Sequence, residues 1–141
     1  PLLYGNINPT IHKANANAGW NFQWDWNERL QFTIYKKDEH YSWHSDQNSN
    51  LYKEKNKHFN GKIRKLSLTL QLTDKKKYEG GDFQFKWIKD KKDLVEVVTV
   101  DDAKDIGTII VFPSFIYHQV SPVTKGKRES LVNWSIGKPF V

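Results

Sequence analysis

From Trp20 onward apolar and polar residues alternate, and this period of two constrains the fold more than any other feature of the chain. Trp20, Phe22, Trp24 and Trp26 share one face, with Asn21, Gln23 and Asp25 opposite. The same pattern runs through Leu30–Tyr35, through Leu66, Leu68, Leu70 and Leu72, and through Phe83, Phe85 and Trp87. Leu94–Val100, Thr108–Phe112, Ile116–Val120 and Leu131–Ile136 are further short β-rich runs. Gly80-Gly81, Gly107, Pro113-Ser114 and Lys125-Gly126-Lys127 supply turn chemistry between them. Only Pro9–Ala18 reads as a helix. Eight or nine short strands in one unit predict a mainly β sandwich or jelly roll with a short N-terminal helix. The polar positions Ser67, Thr69 and Gln71 suit either a solvated outer face or the lining of a ligand chamber.

The length of 141 residues fits a single domain, residues 1–141. With 38% hydrophobic and 14% aromatic residues the chain can build a core. It has no cysteine, which excludes disulfides, zinc–thiolate sites and a cysteine nucleophile. No apolar run approaches the roughly 20 residues of a membrane span, and no signal peptide opens the sequence. We expect a cytoplasmic protein with no membrane association. The net charge of +6 is concentrated in Lys53–Lys65 and Lys75–Lys77, which read as solvated loops more readily than as a nucleic-acid surface. Gln47–Lys62 lacks any periodicity, and an irregular segment of that length is expected to be a lid or binding loop.

His44-Ser45-Asp46 offers an imidazole and a carboxylate on one face of an extended chain. Two histidines and one carboxylate on one face of an octahedron leave open positions, as non-haem Fe(II) oxygenases require. The second histidine is to be chosen among His12, His40, His58 and His118. His40 stands roughly 13 Å from His44 if the chain is extended. His58 falls in the Lys/Asn loop and His12 in the helix, so position favours His118 in its β-rich run. Arg128 can fork onto a carboxylate, and Ser130 lies on the same strand face.

Several stretches together resemble the prolyl 4-hydroxylase-like branch of the Fe(II)/2-oxoglutarate oxygenases, in particular its small bacterial and phage members. They are Gln31–Tyr35, His40–Asp46, Tyr78–Phe83, Phe112-Pro113-Ser114 with His118–Val123, and Gly126–Leu131. Arg128 follows His118 by ten residues, as in many relatives. The resemblance implies a double-stranded β-helix with iron between its sheets. It implies His44, Asp46 and His118 as metal and catalytic residues, and Arg128 as the 2-oxoglutarate anchor. It also implies Tyr35 beside that co-substrate, and Tyr41 as an active-site aromatic. Trp134 stands where the nucleic-acid demethylase branch carries a second arginine, six residues after the first. The implied cofactors are Fe(II), 2-oxoglutarate and O₂, with ascorbate a further candidate. Relatives carry more N-terminal helix, so this chain is expected to be truncated or minimal in its helical support.

The resulting expectation is a dioxygenase that hydroxylates a peptidyl-prolyl or other amino-acid side chain, releasing succinate and CO₂. A peptide or protein substrate is expected ahead of nucleic acid. A nucleic-acid-modifying oxygenase and a non-catalytic jelly-roll binding module are the alternatives.

Overall fold

The polar–apolar alternation resolves into two antiparallel sheets facing each other, seen in a computed structural model that describes residues 2–89, 91–92 and 94–141. The major sheet holds β1 (Trp26–Asn27), β2 (Gln31–Tyr35), β4 (Ile63–Gln71), β8 (Ile109–Pro113) and β11 (Arg128–Gly137). Its order is β1-β11-β4-β8, and β2 also pairs with β11. The minor sheet runs β3-β9-β6-β7, built from Tyr41–His44, Tyr117–Val120, Phe83–Ile88 and Val95–Thr99. A two-stranded ribbon of β5 (Tyr78–Gly80) and β10 (Val123–Gly126) completes the jelly roll. No helix among the described residues is long and apolar enough to cross a membrane.

Register decides which residues reach the space between the sheets. In the major sheet Tyr35 lies opposite Arg128, Thr33 opposite Ser130, and Gln31 opposite Val132. Across β11, Val132 faces Thr69 and Trp134 faces Ser67. These inward side chains are mostly polar. The intervening Leu66, Leu68 and Leu70 point outward and pack with Ile109 and Val111 beneath the N-terminal helix α1 (Leu2–Asn17). A second cluster of Phe83, Ala103, Phe112 and Val120 packs on the minor-sheet side.

Two expectations need correction. The helix starts at Leu2, ahead of Pro9, and contains that proline. A proline inside a helix removes one backbone hydrogen bond and crowds the preceding turn. Here Pro9 is exposed and Gly5, four residues back, is exposed and without a side chain. Ile7 and Ile11, one turn apart, are 4% and 1% exposed, and their burial carries the helix across the break. The second correction concerns Trp20–Asp25, which alternates in burial yet joins no ladder. Asn15 holds this arm instead, accepting from the Phe22 N–H at 2.9 Å and donating to the Phe22 carbonyl at 2.9 Å. Alternation specifies a face, and a ladder further needs a free strand edge.

The long segment after Asp46 is held at several points. Tyr52 exchanges backbone bonds with Gly61 and Lys62, the Lys62 ammonium pairs with Asp25 at 2.5 Å, and Asn48 accepts from the Arg64 N–H. His58, expected in solvent, stacks on Trp26 with ring centroids 3.8 Å apart.

Because the helix contributes Ile11 to the outer core, Ile11→Ala should destabilise the protein by about 2–5 kcal/mol. Ile88→Ala, at a residue 65% exposed, should stay within about 0.5 kcal/mol. Urea denaturation followed by tryptophan fluorescence measures both.

Candidate active site

Register brings the two histidines together. His44 ends β3 directly opposite His118 on β9, and their ring centroids are 4.2 Å apart. The strand stops at His44, so Asp46 sits just past it. Three donors converge there on the Ser114 carbonyl: the N–H groups of Asp46 at 2.9 Å and Gln47 at 3.0 Å, and the Ser45 hydroxyl at 3.1 Å. This fastening replaces the ladder and turns the carboxylate between the rings. Asp46 Oδ1 is 3.2 Å from His44 Nε2, and Oδ2 is 3.4 Å from His118 Nε2. The three ligand atoms lie within 4.8 Å of one another.

The surroundings prepare these side chains for a cation. His44 Nδ1 lies 2.6 Å from the Ser42 carbonyl, and His118 Nδ1 lies 2.9 Å from the Ile116 carbonyl. A carbonyl can only accept, so each Nδ1 carries a proton; each Nε2 can then give a metal its lone pair or, with no metal bound and a second proton on the ring, donate to Asp46. The Ser67 hydroxyl donates to Asp46 Oδ2 at 2.7 Å, and Ser114 Oγ lies 2.9 Å from Ser67 Oγ. Burial alone would raise the Asp46 pKa. The hydrogen bonds of His118, His44 and Ser67 outweigh it and hold the carboxyl well below the usual range. Phe112 and Phe83 close around the His118 ring, at centroid distances of 4.7 and 5.7 Å. Two imidazole nitrogens and one carboxylate, with a cavity in front of them, fit Fe(II) and leave room for further ligands.

That cavity has a volume of about 280 Å³. Tyr35, Tyr41, His44, Asp46, His118, Arg128, Ser130 and Trp134 all line it. Arg128 is 3% exposed and has no carboxylate partner among the described residues. Burial lowers its pKa, and the Tyr78 hydroxyl and the nearby Tyr35 counter only part of that. The Arg128 guanidinium carbon stands 5.9 Å from the centre of the Tyr35 ring. The Tyr35 hydroxyl titrates above its ordinary range because it is buried, an effect Arg128 partly offsets. Gly81 makes space for the arginine: a Cβ there would lie 3.3 Å from Arg128 Cδ and 3.2 Å from Tyr78. A buried cation with no counter-charge is costly unless an anion completes it. The cavity therefore suits a ligand with a carboxylate at one end and metal-binding oxygens at the other.

Tyr41 is half exposed and packs on His44 at a centroid distance of 3.8 Å, forming part of the rim. Trp134 forms another wall, with the Arg64 guanidinium 3.8 Å above its ring. Ser67 and Thr69, two of the polar positions offered for a ligand chamber, also line the cavity, as do Arg64, Gln31 and Thr33, which were not singled out by sequence. Thr33 and Gln31 follow from Tyr35 by simple alternation, and Ser67 belongs to the polar face noted on its strand. Arg64 carries no such signal, because an irregularity at Ser135/Ile136 shifts its register.

With fold and site in view, comparison places the chain. Residues 30–136 match the family model of the 2OG-Fe(II) oxygenase superfamily, and the chain belongs to that family. It is 38% identical over 69 residues to a PKHD-type hydroxylase from Gloeothece citriformis, covering 49% of this chain and 28% of the relative. A PKHD-type hydroxylase from Pseudoalteromonas atlantica is 32% identical over 104 residues, covering 74% and 41%. The chain thus spans well under half the length of either. Among solved structures, a prolyl hydroxylase from Trichoplax adhaerens, in complex with a hypoxia inducible factor peptide fragment, shares the fold with a TM-score of 0.65. It has 18% identity, with 94% of this chain and 54% of that one covered.

The donor arrangement sets an order of importance for metal binding. His44→Ala and His118→Ala should each abolish stoichiometric Co(II) binding in calorimetry. Ser67→Ala removes only a bond to the ligating carboxylate, so it should weaken Co(II) binding by roughly 10–100-fold.

Proposed function

We propose that this chain is the catalytic domain of an Fe(II)- and 2-oxoglutarate-dependent dioxygenase that hydroxylates a prolyl or other amino-acid side chain within a peptide. The observation that carries this reading is Arg128: a buried, uncompensated guanidinium in the same cavity as the His44–Asp46–His118 cluster. Family membership and the PKHD-type hydroxylase relatives support it.

In this reading His44, Asp46 and His118 hold the iron and Arg128 takes the distal carboxylate of 2-oxoglutarate. Tyr35 and Ser130 add neutral hydrogen bonds to the same end. The bound iron and co-substrate supply an O₂-dependent oxidation that hydroxylates a C–H bond while 2-oxoglutarate becomes succinate and CO₂. The residues of the chain orient the reactants and exclude water. Phe83, Phe112 and Val120 give the cavity apolar walls, with Phe83 and Phe112 against the His118 ring. Trp134 offers an apolar wall for a substrate ring, and Tyr41 flanks its entry. Ascorbate as a reductant and a cytoplasmic location belong to the same proposal. Trp134, standing where the nucleic-acid demethylase branch carries a second arginine, favours a peptide over nucleic acid in this reading.

The deciding experiment is succinate formation by the Fe(II)-loaded chain with prolyl peptides, and separately with methylated oligonucleotides. Peptide-dependent succinate is expected. Turnover confined to the oligonucleotides would overturn the substrate class. The clamp has its own test, an anaerobic titration of the Fe(II) protein with 2-oxoglutarate followed by its charge-transfer absorption. A charge-assisted fork contributes about 1.5–3 kcal/mol. Arg128→Ala should therefore weaken 2-oxoglutarate on the order of tenfold or more, with Fe(II) binding nearly intact. Arg128→Lys should fall between, since lysine keeps the charge and loses the fork. Tyr35→Phe and Ser130→Ala should each cost less.

A further inference from the structure

Arg128 lines the metal cavity, and Tyr78 lies against it, 4% exposed. The ribbon brings the two together: Gly126 pairs with Tyr78 of β5, and Arg128 follows two residues later at the head of β11. Glycine is required at position 126, where φ is +71°. A Cβ there would stand 2.2 Å from the Lys77 carbonyl oxygen and 3.2 Å from Tyr78 Cα.

The direction of each hydrogen bond around Tyr78 is fixed by its neighbours. Gln71, 2% exposed, donates from Nε2 to the Thr73 carbonyl at 2.9 Å and to the Tyr78 hydroxyl oxygen at 3.0 Å. Turning the amide over would set its oxygen against the Thr73 carbonyl, so the nitrogen faces Tyr78. The phenol oxygen is therefore an acceptor toward Gln71. A guanidinium has donors only, so the same oxygen accepts from Arg128 as well. That pull restores part of the basicity that burial takes from Arg128. Thr73 closes the circuit: its Oγ1 accepts from the N–H of Glu129, the residue next to Arg128, at 2.8 Å. Thr73, Gln71 and Tyr78 thus brace the guanidinium against the backbone of its own strand.

We propose that Tyr78 is a positioning residue of the anion clamp: held as an acceptor by Gln71, it aims the Arg128 fork into the cavity without neutralising it. The inference rests on the 2-oxoglutarate reading of Arg128 above. An acidic side chain in the place of Tyr78 would aim the arginine as well, but it would also complete the charge and compete with the ligand's carboxylate. A phenol oxygen supplies direction and leaves the positive charge available. Arginine is rich in rotamers, and one braced in advance loses less freedom when the anion binds. Tyr78 touches neither the metal nor the co-substrate and acts through Arg128.

The test compares 2-oxoglutarate with 2-oxopentanoate, a probe of the same chain length that keeps the chelating carboxylate and keto oxygens and lacks the distal carboxylate. Anaerobic titration of the Fe(II) protein, followed by the charge-transfer absorption, gives both affinities. The parent should prefer 2-oxoglutarate by at least about tenfold. Tyr78→Phe should cut that preference about three- to tenfold by weakening 2-oxoglutarate alone. Gln71→Met, which frees the phenol to turn, should act in the same direction and by less. In an Arg128→Ala background, Tyr78→Phe should change neither affinity further. Tyr117→Phe, at an exposed tyrosine of the minor sheet, should keep the parent's preference. An unchanged preference in Tyr78→Phe, an equal weakening of both probes, or a loss that persists without Arg128 overturns the positioning role. A parent that binds both probes equally overturns the Arg128 clamp itself, and this role with it.

Discussion

The inward face of the major sheet is polar, and the rest of the structure answers to that constraint. A sandwich normally gains its stability from the apolar layer between its sheets. Here Ser67, Thr69, Gln31, Thr33, Arg128 and Ser130 occupy much of that layer. The apolar burial has moved elsewhere, to the outer surface of the same sheet under α1 and to the aromatic cluster beside the minor sheet. The helix therefore acts as half of the core.

This inversion also explains what the sequence showed and what it concealed. The strand period was plain, because Leu66, Leu68 and Leu70 must alternate with Ser67 and Thr69 whichever face is wet. Which face was wet could not be read locally. It depends on the partner strands, and Val132 and Trp134 sit among the inward residues despite being apolar. His44 and Asp46 were readable as a pair because two-residue spacing survives the end of the strand. His118 was a candidate on position, and only long-range pairing sets it opposite His44. The helix start was misjudged because proline is a local signal, whereas the burial of Ile7 and Ile11 is a tertiary one. Arg64 stayed hidden because a register irregularity is invisible in composition or period.

The site balances two opposite electrostatic arrangements within one cavity. At one end the Asp46 carboxylate and the Nε2 atoms of His44 and His118 converge on a point that a cation would fill. At the other end Arg128 has tyrosine hydroxyls nearby and no carboxylate partner among the described residues. Each end is incomplete by one partner of opposite charge. A cation at the first and an anion at the second would bring both toward neutrality, and a dicarboxylate chelating the cation joins the two demands in one molecule. The scaffold needs only to keep the ends apart, and rigid strand pairing between Arg128 and Tyr35, and between His44 and His118, does so.

Glu28 has a consequence for how such a protein can change over time. One carboxylate is shared by a cavity-wall arginine and by a tyrosine of the long loop, while its own backbone carbonyl accepts from Tyr4 and Asn133. Losing Arg64 alone would leave a half-buried anion unpaired, and losing Glu28 alone would leave a half-buried cation unpaired; either is worse than losing both. The two positions are thus expected to be inherited as a pair. A lineage that shifts its substrate by altering this wall must pass through a paired replacement, or through an intermediate in which the loop has already let go.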